Sequence, residues 1–132
     1  ISKDAIKDAI YNAKKNHINN AYFYAGDAGE FIDSLIDKPD VVFLDPPRSG
    51  MSKQAIDALI RLKTSRIVYI SCNPETQARD VKQLVKEGYR INKIVPVDLF
   101  PYTKHVENVI SLEIINNTRY KKDNYKKRQT YR

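Results

Sequence analysis

Apolar positions along the chain change spacing repeatedly, and each change marks an element. Ala5, Ile6, Ala9, Ile10 and Ala13 form one helical stripe behind a capping Ser2. "AYFYAG" (21–26) predicts a strand, and Asp27 then caps a short helix through Phe31, Leu35 and Ile36. A second strand, "DVVFLD" (40–45), leads through "PPRSGM" to a helix capped by Ser52 that carries Ile56, Leu59 and Ile60. "RIVYIS" (66–71) predicts a third strand. The helix after it starts at Asn73-Pro74, with proline at its first position, and Gly88 ends it. Its expected apolar face is Ala78, Val81, Leu84 and Val85. "YRINKIVPVDLF" and "ENVISLEII" predict two closing strands joined by "PYTKHV". Strands alternate with helices until this last pair. That order predicts an α/β domain whose sheet is mostly parallel and is finished by an antiparallel strand.

Ligands of such sheets bind outside the carboxyl ends of the strands. "GDAGE", "DPPRSG" and "SCNPET" follow the first three strands, and "TKHVEN" lies between the last two. Composition adds bounds. At 132 residues, 42% hydrophobic and 30% charged, the chain is sized for one core. No apolar run approaches a membrane span and no signal peptide opens the chain, so a cytoplasmic location without membrane contact is expected. One cysteine excludes an internal disulfide and an all-cysteine metal site, and no metal site is expected. The net charge is +7. From Arg119 to Arg132 seven basic residues face one acid, Asp123, leaving +6 there and +1 on the rest. Residues 1–115 are therefore read as the domain and 116–132 as a basic tail. Interleaved Tyr120, Tyr125 and Tyr131 suit a single-stranded nucleic acid, although tails of this kind are commonly just solvated.

Cys72 is the first candidate for chemistry. A thiolate is a nucleophile, and a helix start favours it through the dipole and free N–H groups. A lone cysteine is by position more often a small buried hydrophobe. Asp45 opens "DPPR", where Pro46 and Pro47 stiffen the loop and Arg48 offers a fork for phosphate or carboxylate. Glu107 could act as a general base, with His105 a weaker candidate. Asp27 is by default a helix cap and could also accept from an adenine amino group. His17 has no assigned function.

Together, "FLDPPRSGM", "YISCNPETQARD" and "DLFPYTKHVENV", in this order and spacing, closely resemble the RNA (uracil-5-)-methyltransferases that form 5-methyluridine in tRNA and ribosomal RNA. The resemblance runs from about Ile1 to about Ile115. It implies the C-terminal part of a class I (Rossmann-like) catalytic domain that uses S-adenosyl-L-methionine, with RNA as partner. It further implies that Cys72 adds to C6 of the target uracil and that Glu107 removes the C5 proton. Asp27 would contact the cofactor adenosine, and Asp45 would line the pocket for cofactor and target base. Pro47 and Arg48 would shape the loop around a base flipped out of its stack.

The chain departs from the family pattern upstream. No G-x-G loop precedes "DPPR", and the acidic residue expected after the family's second strand is absent. An upstream RNA-binding region and the cysteine cluster of some members are absent too. In the class I order, the first two strands sit between the strands expected at 21–25 and 40–44. Without them, open strand edges are expected, with self-association as one outcome. The expectation is a piece of a longer enzyme, inactive alone. Two other readings remain: an amino-group nucleic-acid methyltransferase, in which an aromatic residue usually follows the prolines, and a non-catalytic fragment that binds RNA through its tail.

Overall fold

The computed structural model describes residues 2–115, so the basic tail and its boundary at 116 lie outside the described residues. The elements are helices α1 (Lys3–Lys15), α2 (Ala28–Ser34), α3 (Lys53–Leu62) and α4 (Pro74–Lys86), and strands β1 (Val41–Leu44), β2 (Arg66–Ser71), β3 (Tyr89–Val97) and β4 (Glu107–Ile114). Each helix starts where its cap was expected. Ser2 Oγ accepts from Ala5 N, Asp27 from Gly29 N and Glu30 N, Ser52 Oγ from Ala55 N, and Asn73 from Glu75 N. These side chains satisfy N–H groups that a helix start leaves unpaired.

The strand order is β1-β2-β4-β3. β1 and β2 are parallel, and β4 is antiparallel to both β2 and β3. Three strands thus run one way, and the last one inserts reversed between β2 and β3. Alternation along β2 and β4 turns Ile67, Tyr69, Ser71, Asn108, Ile110 and Leu112 toward the helices, where all six are buried. Ile56 and Leu59 of α3, Val81 and Leu84 of α4, and Tyr89 complete the core. Burying one such aliphatic side chain is worth about 1.5–3 kcal/mol. α2 packs on α3 rather than on the sheet.

Three expectations are corrected. Residues 21–25 form no strand: they pair with nothing among the described residues, and Tyr22 is 95% exposed. A strand exists only through its ladder, and a β-favouring sequence without a neighbour stays unpaired. Tyr24 instead stacks on Phe31 at 4.8 Å. α2 stops at Ser34, leaving Ile36 exposed. On α4 the buried face is Gln77, Asp80, Val81 and Leu84, while Ala78 and Val85 are exposed. Two polar residues stand where an apolar face was expected, because each has hydrogen-bond partners inside.

α1 makes no substantial contact with another element. The sheet face away from α3 and α4 is open at β1, where Phe43 is 71% exposed.

Candidate active site

The carboxyl ends of β1 and β2 and the connection from β3 to β4 meet at one end of the sheet. Asp45 to Gly50 follow β1. Pro47 O accepts from Gly50 N at 2.8 Å, closing a turn, and Gly50 has φ of 79°. A Cβ there would lie 2.6 Å from both Arg79 Nη2 and Asp80 Oδ2, so the turn needs glycine for conformation and for space.

One face of α4 holds this loop. Asn73 Nδ2 and Thr76 Oγ1 each donate to Arg48 O at 3.0 Å. Arg79 Nη2 donates to Ser49 O at 3.0 Å. Asp80 is fully buried, and its Oδ2 accepts from Met51 N and from the Tyr69 hydroxyl, both at 2.8 Å. Its Oδ1 accepts from Arg79 Nε and Nη2 at 2.9 and 2.7 Å. The carboxylate is therefore fully engaged, as a buried charge must be. Burial, and then the hydrogen bond to Asp80, push the Tyr69 hydroxyl well above the usual tyrosine range. Sequence reasoning missed Thr76, Gln77, Arg79 and Asp80 as functional support. The available signal was the run of polar residues at 73, 76, 77 and 80, which is one helical face.

Cys72 lies between β2 and the α4 cap, half-buried and free. Ser71 Oγ accepts from Asn73 N at 3.0 Å and donates to Asn73 O at 3.1 Å, fixing the backbone on either side of the thiol. The last assigned pair of the β2–β4 ladder is Ser71 with Asn108. Cys72 directly follows Ser71 and Glu107 directly precedes Asn108, so the expected nucleophile and base, 35 residues apart in the chain, flank the same end of this ladder.

At this end of the ladder, Gln77 Nε2 donates to Tyr69 O at 2.8 Å and to Asn108 O at 3.1 Å, and Asn108 Nδ2 donates to Gln77 Oε1 at 2.7 Å. Above it, the connection 98–106 braces itself. Phe100 N donates to Asp98 Oδ1, Thr103 Oγ1 donates to Phe100 O, and His105 N donates to Thr103 Oγ1. Arg48 Nη1 lies 3.3 Å from His105 Nδ1, joining the "DPPR" loop to this connection. His105 also meets the Phe100 ring edge-on.

A cavity of about 870 Å³ is lined by Asp27, Asp45 and Pro47, with Phe43, Pro46 and Met51 among its apolar walls. Cys72, Arg48 and Glu107 lie outside its lining. Asp27 Oδ1 caps α2, donors being Gly29 N at 2.7 Å and Glu30 N at 3.3 Å. The cap therefore uses one oxygen, and the same residue still borders the cavity. Asp45 is exposed at the cavity edge. Among the described residues no cluster of His, Cys, Asp and Glu could hold a metal ion. No described helix is long and apolar enough to cross a membrane.

Residues 38–115 match the tRNA (Uracil-5-)-methyltransferase family. An uncharacterized RNA methyltransferase of Bacteroides thetaiotaomicron is 49% identical over 116 residues, which are 84% of this chain and 25% of that protein. The crystal structure of Pyrococcus abyssi tRNA (uracil-54, C5)-methyltransferase in complex with S-adenosyl-L-homocysteine is similar with a TM-score of 0.73 and 41% identity. The similarity covers 84% of this chain and 26% of that one. A precorrin-6y C5,15-methyltransferase from Geobacter metallireducens shares the fold, with a TM-score of 0.65 at 24% identity over 86% of this chain and 63% of that one. The chain spans about a quarter of the length of the curated relatives it matches.

Proposed function

The chain belongs to the tRNA (uracil-5-)-methyltransferase family, and from that premise we propose that it forms part of the catalytic domain of an S-adenosyl-L-methionine-dependent enzyme that methylates uracil C5 in tRNA or ribosomal RNA in the cytoplasm. The single observation that supports the covalent reading is the end of the β2–β4 ladder at Ser71 with Asn108, because Cys72 and Glu107 are the next residues on either strand.

The Cys72 thiolate adds to C6 of the uracil. Its electron pair forms the Sγ–C6 bond, and the C5=C6 pair moves toward the O4 carbonyl, making C5 nucleophilic. When bound, S-adenosyl-L-methionine supplies a methyl group on a sulfonium, which C5 takes up while sulfur keeps the bonding pair. Glu107 then accepts the C5 proton. The C5–H pair restores C5=C6 as the Sγ–C6 bond breaks and returns its pair to Cys72. Cys72 is regenerated as the thiolate, and Glu107 passes its proton to water.

The cavity beside β1 fits the cofactor by its donor set. Two carboxylates, Asp27 and Asp45, can accept from hydroxyl or amino groups and favour a cation, and Phe43 and Pro46 offer apolar walls to a flat base. Pro47 and Arg48 would border the flipped uracil, with Arg48 steadied by His105. An amino-group acceptor gains no support, since Arg48 stands where an aromatic residue would stack.

The test uses the full-length enzyme and RNA carrying 5-fluorouridine at the target. Fluorine at C5 cannot leave as a proton, so the adduct persists on a denaturing gel. Cys72→Ala is expected to abolish the adduct and reduce turnover by about 10³-fold or more. An adduct that survives this substitution would refute the proposed nucleophile.

A further inference from the structure

The mechanism needs Cys72 and Glu107 held in register, yet the two reach their places differently. Cys72 sits between Ser71 and Asn73, whose mutual hydrogen bonds are local. Glu107 opens β4, at the end of a mainly exposed connection, and its position depends on where that strand is held. Gln77 is fully buried directly behind this end of the sheet. Its one amide group donates to Tyr69 O of β2 and to Asn108 O of β4, and accepts from the Asn108 side chain. No other side-chain hydrogen bond among the described residues joins β2, β4 and α4 at once.

A buried glutamine is a costly choice for packing alone. An apolar residue would fill the space without requiring three partners, and a half-satisfied amide would cost about 1–3 kcal/mol. Its three bonds constrain the two strand ends to a single register and tilt. We propose that Gln77 and Asn108 form a positioning clamp that aligns Glu107 with the uracil adduct on Cys72, so that the clamp governs removal of the C5 proton more than addition at C6. Neither residue touches the substrate in this proposal, which rests on the covalent reading above.

The proposal separates the two steps. Without the clamp, Cys72 keeps its local support and still adds to C6. The β4 end loosens, and Glu107 meets the C5 proton less often. A misplacement of about 1 Å in such a geometry costs up to about 100-fold in rate. Methylated adduct should then accumulate on ordinary RNA, where the intact enzyme resolves it.

The experiment compares full-length wild type, Gln77→Met and Asn108→Ser. Gln77→Met keeps the volume and removes the amide. Asn108→Ser removes only the side-chain arm, and it carries the test should the first variant not fold. Turnover is measured with unmodified RNA, and denaturation-resistant protein–RNA complex is measured with unmodified and with 5-fluorouridine RNA. The expected result is turnover lowered about 10- to 100-fold, KM for RNA within about threefold, and normal adduct on fluorinated RNA. Complex on unmodified RNA should rise about fivefold or more. Turnover within about twofold of wild type in a folded variant would overturn the clamp. So would turnover lost in step with both complexes, which marks a structural role only. A wild type that forms no adduct with fluorinated RNA would overturn the covalent reading itself, and the clamp's role with it.

Discussion

At the residue scale, the site depends on atoms that a single substitution can displace. Gly50 is the clearest case. Its φ of 79° and the 2.6 Å approach of Arg79 and Asp80 to a hypothetical Cβ leave no room for alanine. Gly50→Ala is expected to destabilise by about 1–2 kcal/mol from backbone conformation alone, more with the clash, as read from the denaturant midpoint. Asp80→Ala should be worse, because it strands the Tyr69 hydroxyl and Met51 N–H and frees Arg79, with each orphaned buried group costing about 1–3 kcal/mol. Tyr69 adds a pH dependence. The fold holds its hydroxyl protonated above the usual range, through burial and the bond to Asp80. The unfolded chain therefore releases this proton first, as pH rises past about 10. The stability it contributes is complete below that pH and declines above it until the folded group titrates. Tyr69→Phe should flatten the alkaline limb of stability against pH while lowering the plateau by about 1 kcal/mol. At Glu107 the expected outcome concerns chemistry: Glu107→Gln should retain adduct on fluorinated RNA and stall with complex on ordinary RNA, seen on the same gels.

At the element scale, α4 acts as a bracket. Asn73, Thr76, Arg79 and the buried Asp80 tie down the "DPPR" loop and the residues after it, and Gln77 ties β2 to β4. Much of the fold was legible beforehand. Ser2, Asp27, Ser52 and Asn73 announced the four helices, because a capping side chain is a local signal. Alternation announced β2 and β4 for the same reason. The insertion of β4 between β2 and β3 was not legible from spacing, since strand order is set by packing between elements far apart in the chain. Nor was the α4 bracket, because Gln77 and Asp80 look like solvated positions until their partners are known. The segment 21–25 failed in the opposite direction. Its aromatic residues favour a strand, but a strand is defined by a neighbour, and none lies beside it among the described residues.

At the scale of the whole molecule, α3 and α4 pack with one face of the sheet to form the core. β1 and β3 form its edges among the described residues, and Phe43 faces solvent on the side away from α3 and α4. Unpaired edges are templates for another chain. The 132-residue chain alone is expected to associate with rising concentration in sedimentation velocity. Extending it to the length of its relatives should give a concentration-independent species. The strand order also bears on how the protein is made. β4 leaves the ribosome after β1, β2 and β3, yet it belongs in the interior of the sheet, between β2 and β3. Until it arrives, β3 has no partner among the other described strands and an empty slot lies beside β2. Synthesis at about 5–20 residues per second keeps that slot open for seconds. A nascent chain that stops short of residue 107 therefore holds the β1–β2 pair and β3 as separate pieces, and the four strands become one sheet only when β4 joins them.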